Sequence, residues 1–229
     1  MLPAVLAATL GLAAPCVPAA QDFSPAERAL FMTNHLANTQ PPTDLTYRYT
    51  KAGSMEAGFE DRVVLHLRPK ADKGCCAAEA DFLTGPRHLS LPEIEAAEGN
   101  PVVLFFLERD IREMNRLTKG QASYFRKRIR MAVFEGAQVT EATATYGGKT
   151  VPARQIVVAP YTEDPLRARF EKLAGKRYTF TLSDAVPGGV VAVATRVDAE
   201  SGAAPLWTEQ DRKSTRLNSS HEWISRMPS

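Results

Sequence analysis

Cysteine and histidine are scarce in this chain, and their scarcity excludes most metal and thiol chemistry. The 229 residues include three cysteines and four histidines. Cys75 and Cys76 are adjacent, with no further cysteine or histidine beside them to complete a ligand set. His35, His66 and His88 lie far apart, at spacings that do not suit a metal site. We therefore expect no metal ion and no cofactor.

The adjacent pair Cys75-Cys76 allows two interpretations. A disulfide between neighbours or a soft-metal site would make the chain a thiol redox protein. Alternatively, two small residues enter a strand here with their side chains on opposite faces. Because no additional ligand is available, the second interpretation is favoured.

Motifs of common catalytic sites are also missing. Gly148-Lys149-Thr150 matches the end of a phosphate-binding loop, but Thr143 stands where that loop requires an earlier glycine. Ser90, Ser123 and Ser183 lack the glycine-flanked turn of a hydrolase nucleophile. The sequence therefore predicts no catalytic residues and a protein that is not an enzyme.

The last nineteen residues, 211–229, differ in character from the rest of the chain. Read back into codons, Asp211 to His221 resembles a common sequencing adapter, and Ile224 to Ser229 resembles its continuation. We therefore interpret 211–229 as a non-native, disordered tail and expect the natural C-terminus to be missing. The tail holds four of the 28 basic and two of the 26 acidic residues, which leaves 24 of each. Such a balance gives no argument for nucleic acid as a partner.

Long apolar runs are absent, but a short one lies near the start. Residues 4–14 are apolar and uncharged, and Val17-Pro-Ala-Ala20 supplies the small residues of a cleavage region. The run is shorter than the ~20 residues needed to cross a bilayer. The pattern predicts a signal peptide over residues 1–20, cleaved near Ala19 or Ala20, and a periplasmic or secreted mature protein.

The remaining segment, 21–210, shows the periodicities of a single β-rich α+β domain. Ser24-Pro-Ala-Glu27 is a capping box that predicts a helix over about 25–38. The apolar run 102–107 is either a buried strand or the buried start of a helix that continues to Thr118. Further helices are predicted from 121 to Gly136 and after Asp164-Pro165. Alternation predicts strands near 45–49, 62–68, 77–83, 138–146, 151–158, 178–182 and 190–197.

This order of elements predicts a curved antiparallel sheet, an open half-barrel, wrapped around inserted central helices. Together with the export signal, the architecture resembles the periplasmic lipoprotein carriers of the LolA/LolB type over most of the mature chain. The resemblance is one of architecture and involves no diagnostic motif. It implies an apolar cavity between sheet and helices that holds acyl chains, with no catalytic residues.

The resemblance and the apolar pattern together predict an exported carrier for a hydrophobic or lipid-like ligand. Core packing explains the cavity candidates equally well. The candidates are Phe105, Phe106, Phe125, Ile129, Tyr178 and Phe180.

The two central helices carry eight basic residues and two acidic ones between Arg109 and Arg130. One interpretation is a docking patch for anionic lipid headgroups, an anionic membrane surface or an acidic envelope protein. The last of these would make the chain a protein–protein interaction module. The other interpretation is a solvated helix face, partly paired with acids such as Glu108 and Glu135. Helical spacing turns Arg128 away from the patch. The patch residues are Arg109, Arg112, Arg116, Arg126, Lys127 and Arg130.

Overall fold

A computed structural model describes residues 23–70, 75–199 and 203–214 of the chain. The predicted signal peptide and residues 215–229 of the adapter-like tail lie outside these ranges.

The first helix, α1, spans Pro25–Glu27 and begins at the predicted capping box. The Ser24 hydroxyl accepts from the Glu27 N–H at 3.2 Å, and the Glu27 carboxylate accepts from the Ser24 N–H at 2.9 Å. The helix continues as a π-helical turn, Arg28–Met32, and ends there. The prediction of helix to residue 38 is wrong, because the Thr33 backbone is extended and its hydroxyl donates to the Arg28 carbonyl at 2.9 Å.

Two longer helices form the centre of the chain, α2 (Val102–Thr118) and α3 (Ala122–Gly136). The apolar run 102–107 is therefore the buried start of a helix. Asn100 caps it, since the Asn100 Oδ1 accepts from the Val102 N–H at 3.1 Å. α2 ends at Lys119, whose left-handed backbone (φ 59°) places its N–H on the Asn115 carbonyl at 2.9 Å.

Eight strands form one antiparallel sheet, which is open and curved, so the predicted fold class is confirmed. The sheet order is β3-β2-β1-β8-β7-β6-β5-β4. Among the described residues β3 and β4 are its two edges. The strands are β1 (Thr43–Ala52), β2 (Phe59–Pro69), β3 (Cys75–Phe82), β4 (Gln138–Tyr146), β5 (Lys149–Val158), β6 (Arg177–Leu182), β7 (Val190–Val197) and β8 (Trp207–Lys213).

The strand β8 is the element that the sequence patterns do not predict. It lies in the middle of the sheet, paired with β1 on one side and β7 on the other. The prediction of disorder from residue 211 is wrong for Asp211, Arg212 and Lys213, which form the last part of this strand. The adapter-like origin of the segment stays a prediction.

The segment after Asp164-Pro165 folds as two 3-10 turns, Arg167–Arg169 and Glu171–Gly175, in place of the expected short helix. The start follows the predicted capping chemistry, because the Asp164 carboxylate accepts from the Leu166 N–H at 2.7 Å. The same carboxylate also accepts a hydrogen bond from the Tyr124 hydroxyl at 2.6 Å. The bond from Tyr124 joins the turn to α3.

The helices pack on the sheet through a dense aromatic core. Phe125 lies within 5.6–6.0 Å, centroid to centroid, of the rings of Tyr124, Tyr161 and Phe170. A buried ionic group lies beside these rings: Lys176 donates to Asp110, and the Tyr178 hydroxyl donates to the same carboxylate at 2.5 Å. Burial raises the pKa of Tyr178, so this hydroxyl remains a donor. The Tyr161 hydroxyl lies 3.1 Å from that of Tyr178 and completes the chain of hydrogen bonds.

Candidate binding groove

An apolar groove lies among the helices, and no residue of the described strands lines it. Its volume is about 630 Å³, within the range of small-molecule sites. We call it the helical groove. α1 and its π-helical turn, the segment 91–94, α2 and α3 contribute its walls. The lining residues are Glu27, Phe31, Leu91, Pro92, Ile94, Leu104, Phe105, Leu107, Glu108, Ile111, Arg112, Arg126, Ile129 and Arg130.

A second cavity of about 380 Å³ adjoins the helical groove. The two share Phe31, Ile94 and Leu104, so these side chains stand between them. The second cavity is lined by the π-helical turn, by residues 94–101 and by the start of α2. The two cavities are therefore neighbouring spaces, and the second is also lined by the polar residues Glu98 and Asn100.

The periodicity of α2 explains how one helix supports both the core and the groove. Phe106, Asp110 and Met114, at i, i+4 and i+8, are fully buried. Leu104, Glu108 and Arg112 repeat with the same spacing on a different stripe, and all three line the groove. Phe105, Leu107 and Ile111 also line the groove. α2 therefore presents apolar side chains both to the core and to the groove, as expected of a helix packed between a core and a binding surface.

The rim of the groove is charged and only partly neutralised. Arg126 makes a forked contact with the Glu108 carboxylate, Nη2 lying 2.9 Å from each oxygen. The Arg112 Nε also donates to Glu108, at 3.3 Å. Glu27 is held by the capping box of α1. Arg130 completes the rim, and it has no acidic partner within the described ranges 23–70, 75–199 and 203–214.

The predicted basic patch divides into three groups. Arg112, Arg126 and Arg130 line the groove. Lys127 is exposed beside them on α3. Arg109 and Arg116 do not line the groove and form salt bridges in other parts of the fold.

Arg109 faces the sheet, where its guanidinium binds Glu209 at 2.7 Å and lies 4.9 Å from the ring centre of Tyr49. Arg116 is paired with Glu113 at 2.9 Å and Glu56 at 2.5 Å. Both guanidiniums are therefore committed within the fold. The prediction that Arg128 turns away is confirmed, since it pairs with Asp164 at 2.7 Å.

The six cavity candidates also separate. Phe105 and Ile129 line the helical groove. Phe106, Phe125, Tyr178 and Phe180 are at most 1% exposed and belong to the core between the helices and the sheet. In that space the described side chains pack against one another, whereas the resemblance to the lipoprotein carriers implies an open cavity there.

Sequence reasoning misses several groove residues because they look like ordinary surface positions. Phe31 and Leu104 are 42% and 50% exposed, although both are large and apolar. Phe31 lies in the π-helical turn, whose register differs from that of an α-helix. Leu91 and Ile94 lie in an irregular segment with no periodicity to interpret. A large apolar residue next to a charged helix stripe is the one signal that the sequence offers.

The segment 91–97, which walls both cavities, is fastened to the edge strand β3. Ala78 and Ile94 exchange two backbone hydrogen bonds of 2.9 Å, and the Ala97 N–H donates to the Cys76 carbonyl at 2.9 Å. Cys76 is joined to Cys75 by a disulfide at the start of β3. The favoured interpretation of two side chains on opposite faces is therefore wrong. The disulfide therefore lies one backbone hydrogen bond away from Ala97, which lines the second cavity.

Within the described part of the chain, no three His, Cys, Asp or Glu side chains are arranged to hold a metal ion. Over the same residues, no helix combines the length and the apolar character needed to cross a bilayer.

Comparison with known proteins shows a likeness of structure and none of sequence. No family model and no curated protein sequence matches the chain. Among solved structures, the lipoprotein LppX of Mycobacterium tuberculosis aligns over 82% of this chain and 91% of its own, at 9% sequence identity and a TM-score of 0.35. The likeness at that score is a weak resemblance of overall fold.

Proposed function

We propose that this chain is an exported binding or carrier protein, and that its helical groove holds a hydrophobic chain with an anionic head. One observation carries the proposal: an apolar groove of about 630 Å³ ends at a rim where one guanidinium, that of Arg130, has no acidic partner in the described ranges.

The apolar part of the groove favours an acyl chain. Phe31, Leu104, Phe105, Ile111 and Ile129 present hydrocarbon surface to the cavity. A ligand that covers this surface removes it from water, which favours binding by about 25 cal/mol for each Å² of apolar surface buried. The groove and the adjoining cavity share three lining residues, so a long narrow ligand would reach both more readily than a compact one.

The charged part favours an anionic head. Arg130 offers a planar set of donors that matches a carboxylate or a phosphate. Arg126 and Arg112 share a single acid, Glu108, so a ligand oxyanion could take over one of their contacts without leaving a buried charge unpaired. The head would therefore lie at the rim, and the chain inside.

The proposed mechanism is non-covalent. A cluster of ionisable side chains is buried in the core and does not line the groove. It consists of Lys176, Asp110 and Tyr178. Its hydrogen bonds hold α2 against β6. Uptake and release of ligand then depend on the groove alone.

The experiment is a titration of the full chain with palmitate, with palmitoyl lysophosphatidylglycerol and with the uncharged monopalmitoylglycerol. We expect both anionic ligands to bind more tightly than the neutral one. The preference between them distinguishes a carboxylate from a phosphate head. Arg130→Ala should bring the affinity for the anionic ligands down toward that for monopalmitoylglycerol.

A charge placed in the groove tests the apolar part. Leu104→Glu should lower the affinity for all three ligands by about tenfold or more, because the introduced carboxylate would lose its hydrating water when the acyl chain enters the groove. Leu166→Glu is the matched control, since Leu166 is also partly exposed (39%) but does not line the groove. Equal affinities for Leu104→Glu and the parent protein would refute the proposal.

A second candidate function is an envelope protein–protein interaction module. The filled core between the helices and the sheet favours it, because the space that the resemblance assigns to acyl chains is occupied by side chains. In that case the groove would receive an apolar side chain of an acidic protein partner. Binding should then weaken with salt and be lost in Arg126→Glu/Arg130→Glu, while the palmitoyl ligands should fail to bind.

A further inference from the structure

We propose that the exposed surface of α3 beside the groove docks on an anionic lipid bilayer. This surface, the docking face, consists of Lys127, Arg130 and Phe134 on α3 together with Phe31 and Leu104 across the groove. The proposal goes beyond the binding of a ligand, since a bilayer can hold this face while the groove is empty.

The apolar side chains of the docking face are exposed without an evident structural need. Phe134 is 53% exposed, the largest fraction among the aromatic residues of the described chain, and it does not line the groove. Lys127, Arg130 and Phe134 follow each other at i, i+3 and i+7, so they share one side of α3. Phe31 and Leu104 stand at the mouth of the groove that Arg130 borders.

The charges of the docking face are free to meet a partner. Neither Lys127 nor Arg130 has an acidic partner in the described ranges. On the exposed face of β1 and β2, by contrast, one histidine is paired with two acids. His66 lies 2.9 Å from Asp44 and 3.2 Å from Asp81 there.

A bilayer fits this combination better than a protein surface does. Phenylalanine and leucine side chains with flanking lysine and arginine are the composition of elements that lie in a membrane interface. Anionic lipids attract such cations within a Debye length of the surface. Glu108, an acid at the rim of the groove, is already shared by Arg112 and Arg126, so it opposes this attraction little.

Docking in this orientation would place the mouth of the helical groove at the headgroup level. A chain could then pass between bilayer and groove without crossing open water. That consequence depends on the proposed function, whereas the docking itself does not.

The experiment is co-sedimentation of the full chain with vesicles of phosphatidylcholine alone and of phosphatidylcholine mixed with phosphatidylglycerol. We expect binding to the mixed vesicles that falls as salt is raised. Lys127→Glu and Phe134→Ser should each weaken it by about fivefold to tenfold, and the double variant should weaken it further. Neither residue lines the groove, so affinity for palmitate should stay unchanged in both.

Arg48→Glu is the matched control for charge, because Arg48 is exposed on β1, away from the helices. Leu166→Ser is the control for the apolar change. Three results would overturn the proposal: equal binding to both kinds of vesicle, equal loss with Arg48→Glu and Lys127→Glu, or binding to polyglutamate with none to vesicles. The last result would assign the face to an acidic protein.

Discussion

Arg126 and Arg130 lie one turn apart on α3, yet they differ in what they bind. Arg126 is locked in a forked contact with Glu108, whereas Arg130 has no acidic partner in the described part of the chain. Both line the same apolar groove. The paired arginine fixes the shape of the rim, and the unpaired one is the group that we propose binds the anionic head of a ligand.

Two inward positions on β8 should respond to substitution in opposite directions. Glu209 binds Arg109, whereas neither carboxylate oxygen of Asp211 has a hydrogen-bond partner. Burial raises the pKa of Asp211, and the nearby Arg109 only partly opposes this. Asp211→Leu should raise the free energy of unfolding by about 1–3 kcal/mol, because it removes an unsatisfied buried group. Urea denaturation of the full chain measures the change.

Glu209→Leu is the matched substitution two residues earlier on the same face of β8. It should destabilise the protein by about 3–5 kcal/mol, because Arg109 would then be buried without a partner. The partnered position precedes the adapter-like segment, and the unpartnered one is its first residue. A loss of stability in Asp211→Leu as large as that in Glu209→Leu would contradict this account of β8.

The buried pair of Lys176 and Asp110 should show strong coupling. Lys176→Met leaves the Asp110 carboxylate buried without its counter-charge and should cost about 3–5 kcal/mol. The double variant Lys176→Met/Asp110→Leu should recover much of that loss, since it removes both charges. A double-mutant cycle by urea denaturation gives the coupling, with Lys172→Met at an exposed position as control. Additive losses would show that the two side chains do not form one unit.

Two histidines should make the stability depend on pH in opposite senses. Burial lowers the pKa of His35, and its two ring nitrogens are already committed. The Asn100 N–H donates to Nδ1 at 3.2 Å, so the Nε2–H donates to the Ala29 carbonyl at 2.8 Å. A second ring proton would sit on Nδ1, where it would point at the Asn100 N–H and remove the acceptor of that hydrogen bond. Stability from His35 should therefore be lost as the pH falls below the unfolded pKa of about 6.5.

For His66, burial opposes the shift, but hydrogen bonds to Asp44 and Asp81 raise the pKa. Its contribution is fully present below pH ~6.5 and is lost as the pH rises through the folded pKa. NMR titration of the ring protons should place the pKa of His35 below that of His66. His35→Asn should reduce the loss of stability at acid pH. His66→Asn should reduce the loss of stability as the pH rises through the folded pKa of His66. Identical pKa values for the two rings would contradict these environments.

Reduction of the Cys75–Cys76 disulfide should loosen the nearer end of the groove wall. The Ala97 N–H donates to the Cys76 carbonyl, so its hydrogen exchange should accelerate when a dithiol reagent converts the disulfide into two thiols. The Leu89 N–H, which donates to the Phe82 carbonyl at the far end of β3, is the internal control. Intact mass should rise by two hydrogens. Equal acceleration at both amides would show that the whole segment, and not its disulfide end, responds.

The sequence predicts elements well where apolar periodicity is present. The hairpin of β4 and β5, the helices α2 and α3 and the pair β6 and β7 all follow from alternation, helical spacing and glycine turns. β8 escapes because, after Trp207, its inward positions are Glu209, Asp211 and Lys213. A strand whose buried face is charged has no hydrophobic signal at all.

The candidate site was harder to predict than the fold. Its walls come from three helices and an irregular segment that are distant in sequence, and only tertiary packing brings Phe31, Ile94 and Leu104 together. Aromatic residues of the sequence point equally to core and to cavity. Phe105 and Phe125 are both aromatic residues in apolar helix stripes and look alike in the sequence. Phe105 lines the groove, whereas Phe125 is fully buried in the core.

Photoaffinity labelling with a palmitate analogue that carries a diazirine at the end of its chain tests the central claim most directly. The account predicts that labelled peptides come from the walls of the helical groove, around Phe31, Ile94 and Leu104, and that excess palmitate prevents the labelling. Labelling confined to β6 and β7, or unchanged by Leu104→Glu, would contradict the assignment of the groove as the binding site.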